Sequence, residues 1–251
     1  MALPDLVLIH GGAHAADCWD LTVAHLRSTA PELRVLAVDL PGRRGKPGDL
    51  RKATIREWAN SVVSDIDQAG PDRVVIAGHS MAGLVMPGVM TKLGPTRVAE
   101  AVFVTAFVPP QGFAMADTLS GPATPFVRWG ARFGRPYKLP IAARLMFCNG
   151  MTRAQRQFAM SRLYPESMTI LAEPVDRTDM PTGVPRTWIM TLKDRTLSEA
   201  QQRASIDALG GVDAVCPVDT CHNVMISEPA WLAQILLERC RAHTRPDPRM
   251  P

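Results

Sequence analysis

The chain has 251 residues, of which 46% are hydrophobic and 21% are charged, a composition typical of a globular protein with a sizeable core. Its formal net charge is +4, but no long Lys/Arg run concentrates this charge, so the sequence argues against nucleic-acid binding. No apolar run is long enough to span a bilayer, and no basic region precedes an apolar segment at the start of the chain. We therefore expect neither a membrane contact nor a signal peptide.

The number and spacing of the cysteines indicate the cellular compartment. The chain has five cysteines, an odd number, and no Cys-x-x-Cys pair. This argues against a disulfide framework and against a zinc site. The sequence therefore predicts a cytoplasmic protein without a structural metal.

Strand and helix patterns alternate over the first 105 residues. Short apolar runs predict strands, and stretches with apolar residues at helical spacing predict helices between them. The predicted strands cover residues 6–9, 34–38, 74–77 and 98–105, and the predicted helices cover residues 19–26 and 54–69. This alternation predicts an α/β fold with a mostly parallel central sheet flanked by helices.

The first predicted strand ends in the loop His-Gly-Gly-Ala-His at residues 10–14. A glycine pair directly after a strand lets backbone N–H groups point into a site, which is how an oxyanion hole is built. A plain tight turn is the alternative interpretation of this pattern.

The third predicted strand runs into Gly-His-Ser-Met-Ala-Gly at residues 78–83, and an apolar stretch suited to a core helix follows. A strand, a tight turn and a helix with a serine at the apex form a nucleophile elbow, in which the turn strains the serine backbone and exposes its hydroxyl. Strand and helix nearly collide there, which explains the small residues Gly78 and Gly83. Ala82 stands where the common pattern has its second glycine, a difference of one methyl group. The pattern predicts Ser80 as a nucleophile.

The pattern changes after the fourth predicted strand. Residues 108–183 contain no convincing strand and are rich in Pro, Gly, Met and aromatic residues, with one clear helix over residues 152–163. Such a stretch between two sheet strands predicts an inserted helical cap within a single domain of residues 1–251. Its apolar side chains, which could line a substrate pocket or simply pack the cap, include Phe113, Met115, Phe126, Trp129, Met146, Phe147, Phe158 and Met160. We single out Phe126, Trp129 and Phe158 as candidate substrate-binding residues.

The sheet resumes at residues 186–191 and ends at residues 213–218, followed by a helix over residues 230–242 and a tail over residues 244–251 that we expect to be disordered. Asp194 comes directly after the first of these strands, and His222 comes directly after the second. In a parallel sheet both positions lie at the carboxyl edge, together with Ser80. Serine needs a base, and the base needs an orienting acid. Asp219 and Asp213 are competing candidates for that acid because they are close to His222, but their positions three and nine residues before it on the strand or its loop favour Asp194.

Together these segments resemble the α/β-hydrolase superfamily. The residues that carry the resemblance are the 10–19 loop, Asp-Leu-Pro-Gly at 39–42, the 78–83 turn and the late Asp and His. The 10–19 and 78–83 segments and Phe-Val-Pro-Pro at 107–110 are similar to the methylesterase and hydroxynitrile-lyase-like branch, especially its bacterial members. The resemblance implies Ser80 as nucleophile, His222 as base and Asp194 as its orienter. It also implies an oxyanion hole formed by the backbone N–H groups of Gly12 and Met81.

The predicted function is hydrolysis of a small carboxylic ester through an acyl-enzyme, with no cofactor or metal. The expected partner is a small-molecule ester, and a homodimer is left open. Three alternatives remain: a thioesterase or acyl-release enzyme, a lyase on the same fold, and a binding protein without catalysis. In the cyanide-releasing relatives, a lysine follows the catalytic histidine and a threonine follows the histidine of the first loop. Here those positions hold Asn223 and Gly11, which favours hydrolysis.

Overall fold

A computed structural model of the protein describes residues 2–118, 130, 134, 136–138 and 140–245. Within these ranges, six strands form one sheet in which all neighbouring strands are parallel. The strands are β1 (Asp5–Ile9), β2 (Val35–Val38), β3 (Val74–His79), β4 (Val98–Val104), β5 (Arg186–Thr191) and β6 (Ala214–Val218). The predicted sheet is confirmed, with small differences at the strand ends.

The spatial order of the strands is β2-β1-β3-β4-β5-β6. The chain passes from β1 to β2 on one side and then places β3 on the other side of β1, so the order of the strands reverses there. Open parallel sheets form their sites at such a reversal, outside the carboxyl ends of the strands. In this protein the two strands at the reversal lead directly into His10 and Ser80.

Helices fill the connections between strands in the described part of the chain. After β1 come a 3₁₀ helix (Ala16–Trp19) and α1 (Asp20–Thr29), and after β2 comes α2 (Ile55–Ala69). After β3 come a 3₁₀ turn (Ser80–Leu84) and α3 (Met86–Arg97). Between β4 and β5 lie α4 (Met115–Thr118), α5 (Pro140–Phe147), α6 (Arg153–Ser161) and α7 (Thr169–Ala172). The last helices are α8 (Glu199–Ala208), α9 (Val224–Ser227) and α10 (Pro229–Ala242).

Helix starts follow local sequence signals. Thr54 forms a capping box at the start of α2: its hydroxyl accepts from the Glu57 N–H at 3.1 Å, and the Glu57 carboxylate accepts from the Thr54 N–H at 3.2 Å. The reciprocal bonds satisfy two N–H groups that the first helical turn leaves without partners. Ser198 caps α8 in the same way, with Gln201 as its partner.

The sheet separates two apolar layers. Successive residues of a strand point to opposite faces, so Ile76 packs into a core with Trp58 of α2, whereas Val75 packs into a core with Trp19 and with Leu236 of α10. Both faces of β3 are buried, which is why its sequence is apolar without alternation.

The cap that we predict at residues 108–183 falls in the segment between β4 and β5. Two of the candidate substrate-binding residues, Phe126 and Trp129, lie outside the described residues. At the end of the chain, Arg245 pairs with Ala2 through two backbone hydrogen bonds, and the rest of the predicted tail, 246–251, also lies outside the described residues. No helix in the described ranges is long and apolar enough to cross a bilayer.

Candidate active site

The serine at the end of β3 has the strained backbone that its motif predicts. Ser80 has a φ of +52°, in the left-handed region that residues other than glycine seldom occupy, and its side chain is nearly buried. The strand and the following turn approach closely: a Cβ on Gly78 would lie 2.2 Å from the Met86 sulfur, and a Cβ on Gly83 would lie 2.3 Å from the Phe107 carbonyl oxygen. Only glycine fits at these two positions without displacing its neighbours.

Ser80, His222 and Asp194 form a continuous hydrogen-bonded relay. The Ser80 Oγ lies 2.8 Å from His222 Nε2, and His222 Nδ1 lies 2.6 Å from Asp194 Oδ2. The side chains of His222 and Asp194 are 1% and 0% exposed, so water does not compete for these bonds. Because a carboxylate only accepts, His222 Nδ1 carries the proton and Nε2 accepts from the serine hydroxyl.

The Asp194 carboxylate is held by five donors. Its Oδ2 accepts from His222 and from the hydroxyls of Thr105 at 2.7 Å and Thr191 at 2.8 Å, and its Oδ1 accepts from the backbone N–H groups of Thr196 and Leu197. Burial by itself would raise its pKa. The electrostatic interaction with His222 and these hydrogen bonds favour the ionised carboxylate by more than burial disfavours it, so the pKa of Asp194 lies below its ordinary value. The carboxylate therefore stays ionised at neutral pH.

Asp219, a competing candidate for the acid that orients His222, lies at the surface. Asp219 is 66% exposed and forms a surface ion pair with Lys193 at 2.6 Å. Its carboxylate points to solvent, whereas Asp194 is the carboxylate hydrogen-bonded to His222. The structure thus separates two aspartates that both lie close to a strand end in the sequence.

The loop after β1 lies against the turn at Ser80. A Cβ on Gly12 would lie 3.5 Å from the Met81 sulfur, which places the two residues of the predicted oxyanion hole side by side. His10 orients the peptide between Gly11 and Gly12: its Nε2 accepts from the Leu40 N–H at 3.1 Å, so its Nδ1 donates to the Gly11 carbonyl at 2.8 Å. Because the peptide is planar and trans, the Gly12 N–H points in the direction opposite to the Gly11 carbonyl.

Three further buried histidines lie in or next to the site, His14 and His79 beside His222 and His10 in the loop after β1, and burial keeps them neutral. His14 donates from Nδ1 to the Gly12 carbonyl at 2.7 Å and accepts from the Asn223 amide at 3.1 Å, and burial lowers its pKa to about 4. His79 donates to the His222 carbonyl at 3.0 Å. Burial also lowers the pKa values of His10 and His79 well below the ordinary value.

Similarity to known proteins identifies the family of this chain. The sequence profile of the alpha/beta hydrolase family matches residues 6–235. The chain belongs to the alpha/beta-hydrolase family. The predicted fold class and family are therefore confirmed.

Similar proteins in this family include esterases. The chain is 27% identical to a probable esterase, PIR7A, from Oryza sativa subsp. indica, over 92% of this chain and 94% of the relative. It is also 27% identical to Methylesterase 1 from Arabidopsis thaliana, over 92% of this chain and 94% of the relative. Among solved structures, an extracellular alpha/beta-hydrolase from a Paenibacillus species superposes with a TM-score of 0.80 at 22% identity, covering 94% of this chain and 98% of that one. The resemblance to the methylesterase branch is confirmed.

In this α/β-hydrolase, Phe147 is the aromatic side chain that reaches the relay from the described residues of the segment between β4 and β5. Its ring stacks on the His222 ring, with centroids 5.4 Å apart, and lies 5.7 Å from the His14 ring. Phe158, one of the candidate substrate-binding residues, is half-buried on α6 and packs its ring under the Arg162 guanidinium. Phe113, from the wider apolar set, is exposed.

Thr105 is part of the site, although the sequence pattern did not predict it. This residue follows β4, is fully buried, has a φ of +39° and donates its hydroxyl to Asp194. A β-branched residue with positive φ is strained, and such strain clusters at functional sites. The available signal was a hydroxyl side chain at the carboxyl end of a central strand, the same kind of position that pointed to Asp194.

The described residues include no group of three or more His, Cys, Asp or Glu side chains that could hold a metal ion. The buried histidines of the site make hydrogen bonds instead: His10, His14 and His79 to backbone carbonyls, His14 also to the Asn223 amide, and His222 to the Ser80 hydroxyl. These hydrogen bonds fix the orientation of the histidine rings within the site.

Proposed function

We propose that this α/β-hydrolase cleaves small carboxylic esters through an acyl-enzyme on Ser80. The observation that carries the proposal is the relay itself: a serine with a strained, positive-φ backbone, 2.8 Å from a histidine that is held by a buried carboxylate. This combination provides a nucleophile, a base and an orienting acid. The names of the methylesterase relatives favour methyl esters of small carboxylic acids as the first natural substrates to test.

In the first half-reaction, Ser80 Oγ attacks the ester carbonyl carbon while His222 Nε2 takes the hydroxyl proton. The carbonyl oxygen becomes an oxyanion, which the backbone N–H groups of Gly12 and Met81 stabilise. Each such donor is worth about 10²- to 10³-fold in kcat in well-characterised serine hydrolases. The tetrahedral intermediate then collapses, and His222 delivers its proton to the departing alcohol.

In the second half-reaction, water replaces the alcohol. His222 takes a proton from the water, the resulting hydroxide attacks the acyl carbon, and a second oxyanion forms in the same place. Collapse of this intermediate releases the carboxylic acid and returns the proton from His222 to Ser80. One histidine therefore acts as base and then as acid in each half.

The charges around His222 suit this cycle. The buried carboxylate of Asp194 stabilises the positive charge that His222 gains in each half. His10, His14 and His79 remain neutral at pH 7 because burial lowers their pKa values, so they do not repel the imidazolium. The site thus places a single negative charge next to the group whose charge changes.

Substitution of Ser80 tests the proposal. We expect Ser80→Ala to lower kcat on p-nitrophenyl acetate by about 10⁴-fold or more, because the attacking atom is lost while the fold is kept. Wild type should also label with a fluorophosphonate probe, and the variant should not. Unchanged circular dichroism controls for folding. Turnover within tenfold of wild type in the variant, or absence of any ester hydrolysis by wild type, contradicts the proposal.

A further inference from the structure

A buried ion pair joins the core to the segment between β4 and β5. Arg43 follows β2, and Glu166 lies between α6 and α7, 123 residues later. The Arg43 Nη2 and the Glu166 Oε2 are 2.5 Å apart, and both side chains are 0% exposed. The Arg43 guanidinium also lies 5.6 Å from the Trp58 ring centroid. Arg43 and Glu166 therefore meet without access to water.

The pair holds the loop after β1 through the backbone. Glu166 Oε2 also accepts from the Ala13 N–H at 2.8 Å, and Arg43 Nε donates to the His14 carbonyl at 2.6 Å. A third bond comes from the same segment as Glu166, since the Tyr164 N–H donates to the Ala13 carbonyl at 2.9 Å. Ala13 has a φ of +58°, a strained conformation that these bonds maintain.

Stability alone is a weak reason for such a pair. Taking two charges out of water costs so much that replacing a buried pair by apolar residues of similar size is often neutral or stabilising. An apolar pair cannot donate to the His14 carbonyl or accept from the Ala13 N–H, so it would lose the orientation of the loop. This difference points to a role in geometry.

We propose that Arg43 and Glu166 are positioning residues that fix the loop at residues 12–14 in the orientation that presents the Gly12 N–H to the oxyanion. The adjacency is direct, because a Cβ on Gly12 would lie 3.7 Å from Glu166 Oε2. Since Glu166 belongs to the segment between β4 and β5, the oxyanion hole is complete only when that segment is docked. The inference rests on the proposed ester hydrolysis.

The test replaces the pair as a unit. In R43M/E166L, we expect the protein to stay folded, with a lower urea midpoint because the Ala13 N–H and the His14 carbonyl lose their partners. We expect kcat on p-nitrophenyl acetate to fall by about 10- to 100-fold, no more than the loss of one oxyanion donor. KM should change by less than about threefold, because the pair acts on the transition state. An aromatic trifluoromethyl ketone, which forms a tetrahedral adduct with the serine, should lose affinity by the same factor as kcat/KM.

The control removes a surface pair instead. Arg97 and Asp67 form an exposed ion pair at 2.7 Å, and R97M/D67N should leave kcat, KM and inhibitor affinity unchanged. E166Q is a second variant that keeps the shape of Glu166 and one acceptor, and it should show a smaller loss of kcat with the same unchanged KM. Three results overturn the proposal: a stable R43M/E166L with kcat within twofold of wild type, a loss confined to KM, or failure of both variants to fold. Ser80→Ala in parallel separates the two claims, since full activity there defeats the ester-hydrolase proposal itself.

Discussion

Asp194→Asn should place the His222 proton on the wrong nitrogen. Asp194 Oδ1 accepts from the backbone N–H groups of Thr196 and Leu197 at 2.7 and 2.8 Å, and these donors cannot reverse. The asparagine carbonyl must therefore occupy that side, which leaves its NH₂ group facing His222. An NH₂ group donates to Nδ1, so the histidine would carry its proton on Nε2, opposite Ser80, where it cannot act as a base.

The magnitude follows from the loss of that base. The equivalent change in a serine protease of unrelated fold lowers kcat by about 10⁴, or about 5 kcal/mol of transition-state free energy. We expect a similar loss of kcat on p-nitrophenyl acetate, with KM little changed. The matched control is Asp219→Asn. Its ion pair with Lys193 is exposed on both sides, and such pairs contribute little, so kcat should stay within about twofold of wild type.

Two outcomes would refute this reasoning. The first is Asp194→Asn retaining a tenth or more of wild-type kcat with its fold intact by circular dichroism. The second is a greater loss in Asp219→Asn than in Asp194→Asn, which would make Asp219 the acid that orients His222.

The remaining predictions concern pH and reaction type. The pKa of His14 is about 4 in the folded protein and about 6.5 when unfolded, so below pH 6.5 the unfolded chain binds more protons and stability falls as pH drops towards 4. The lowered pKa of His14 alone should reduce the free energy of unfolding by about 2 kcal/mol at pH 5. The free energy of unfolding of His14→Gln, measured in urea, should therefore depend less on pH than that of wild type. Equal pH dependence in the two proteins would contradict the lowered pKa of His14. The second prediction concerns the reaction type. Where the cyanide-releasing relatives have a lysine, this chain has the neutral Asn223, which is hydrogen-bonded to His14. Where they have a threonine, it has Gly11, where a Cβ would lie 2.8 Å from the Ser80 Cβ. We expect p-nitrophenyl acetate hydrolysis with negligible benzaldehyde release from mandelonitrile, and lyase turnover equal to esterase turnover would favour the lyase alternative.

Much of the fold could be predicted because its signals are local. The apolar run of β3, the small residues around Ser80 and the capping box at Thr54 each act within a few residues of chain. Strand-end positions are local too, and they placed Asp194 and His222 at one edge of the sheet. Phe147 is one of many apolar residues in its segment, and no neighbouring residue distinguishes it as a side chain that stacks on His222.

By itself, the sequence determined the order of strands and helices, the elbow at Ser80 and the candidates that follow each strand, because backbone preferences and turn chemistry depend on adjacent residues. Only the tertiary structure decided between Asp194 and Asp219, since the two differ in which way the carboxylate faces and not in composition. It also decided the bond of Thr105 to Asp194, across 89 residues, and the meeting of Arg43 with Glu166, across 123. Such pairs form because the sheet and its connections bring distant segments together, and no local pattern records that distance.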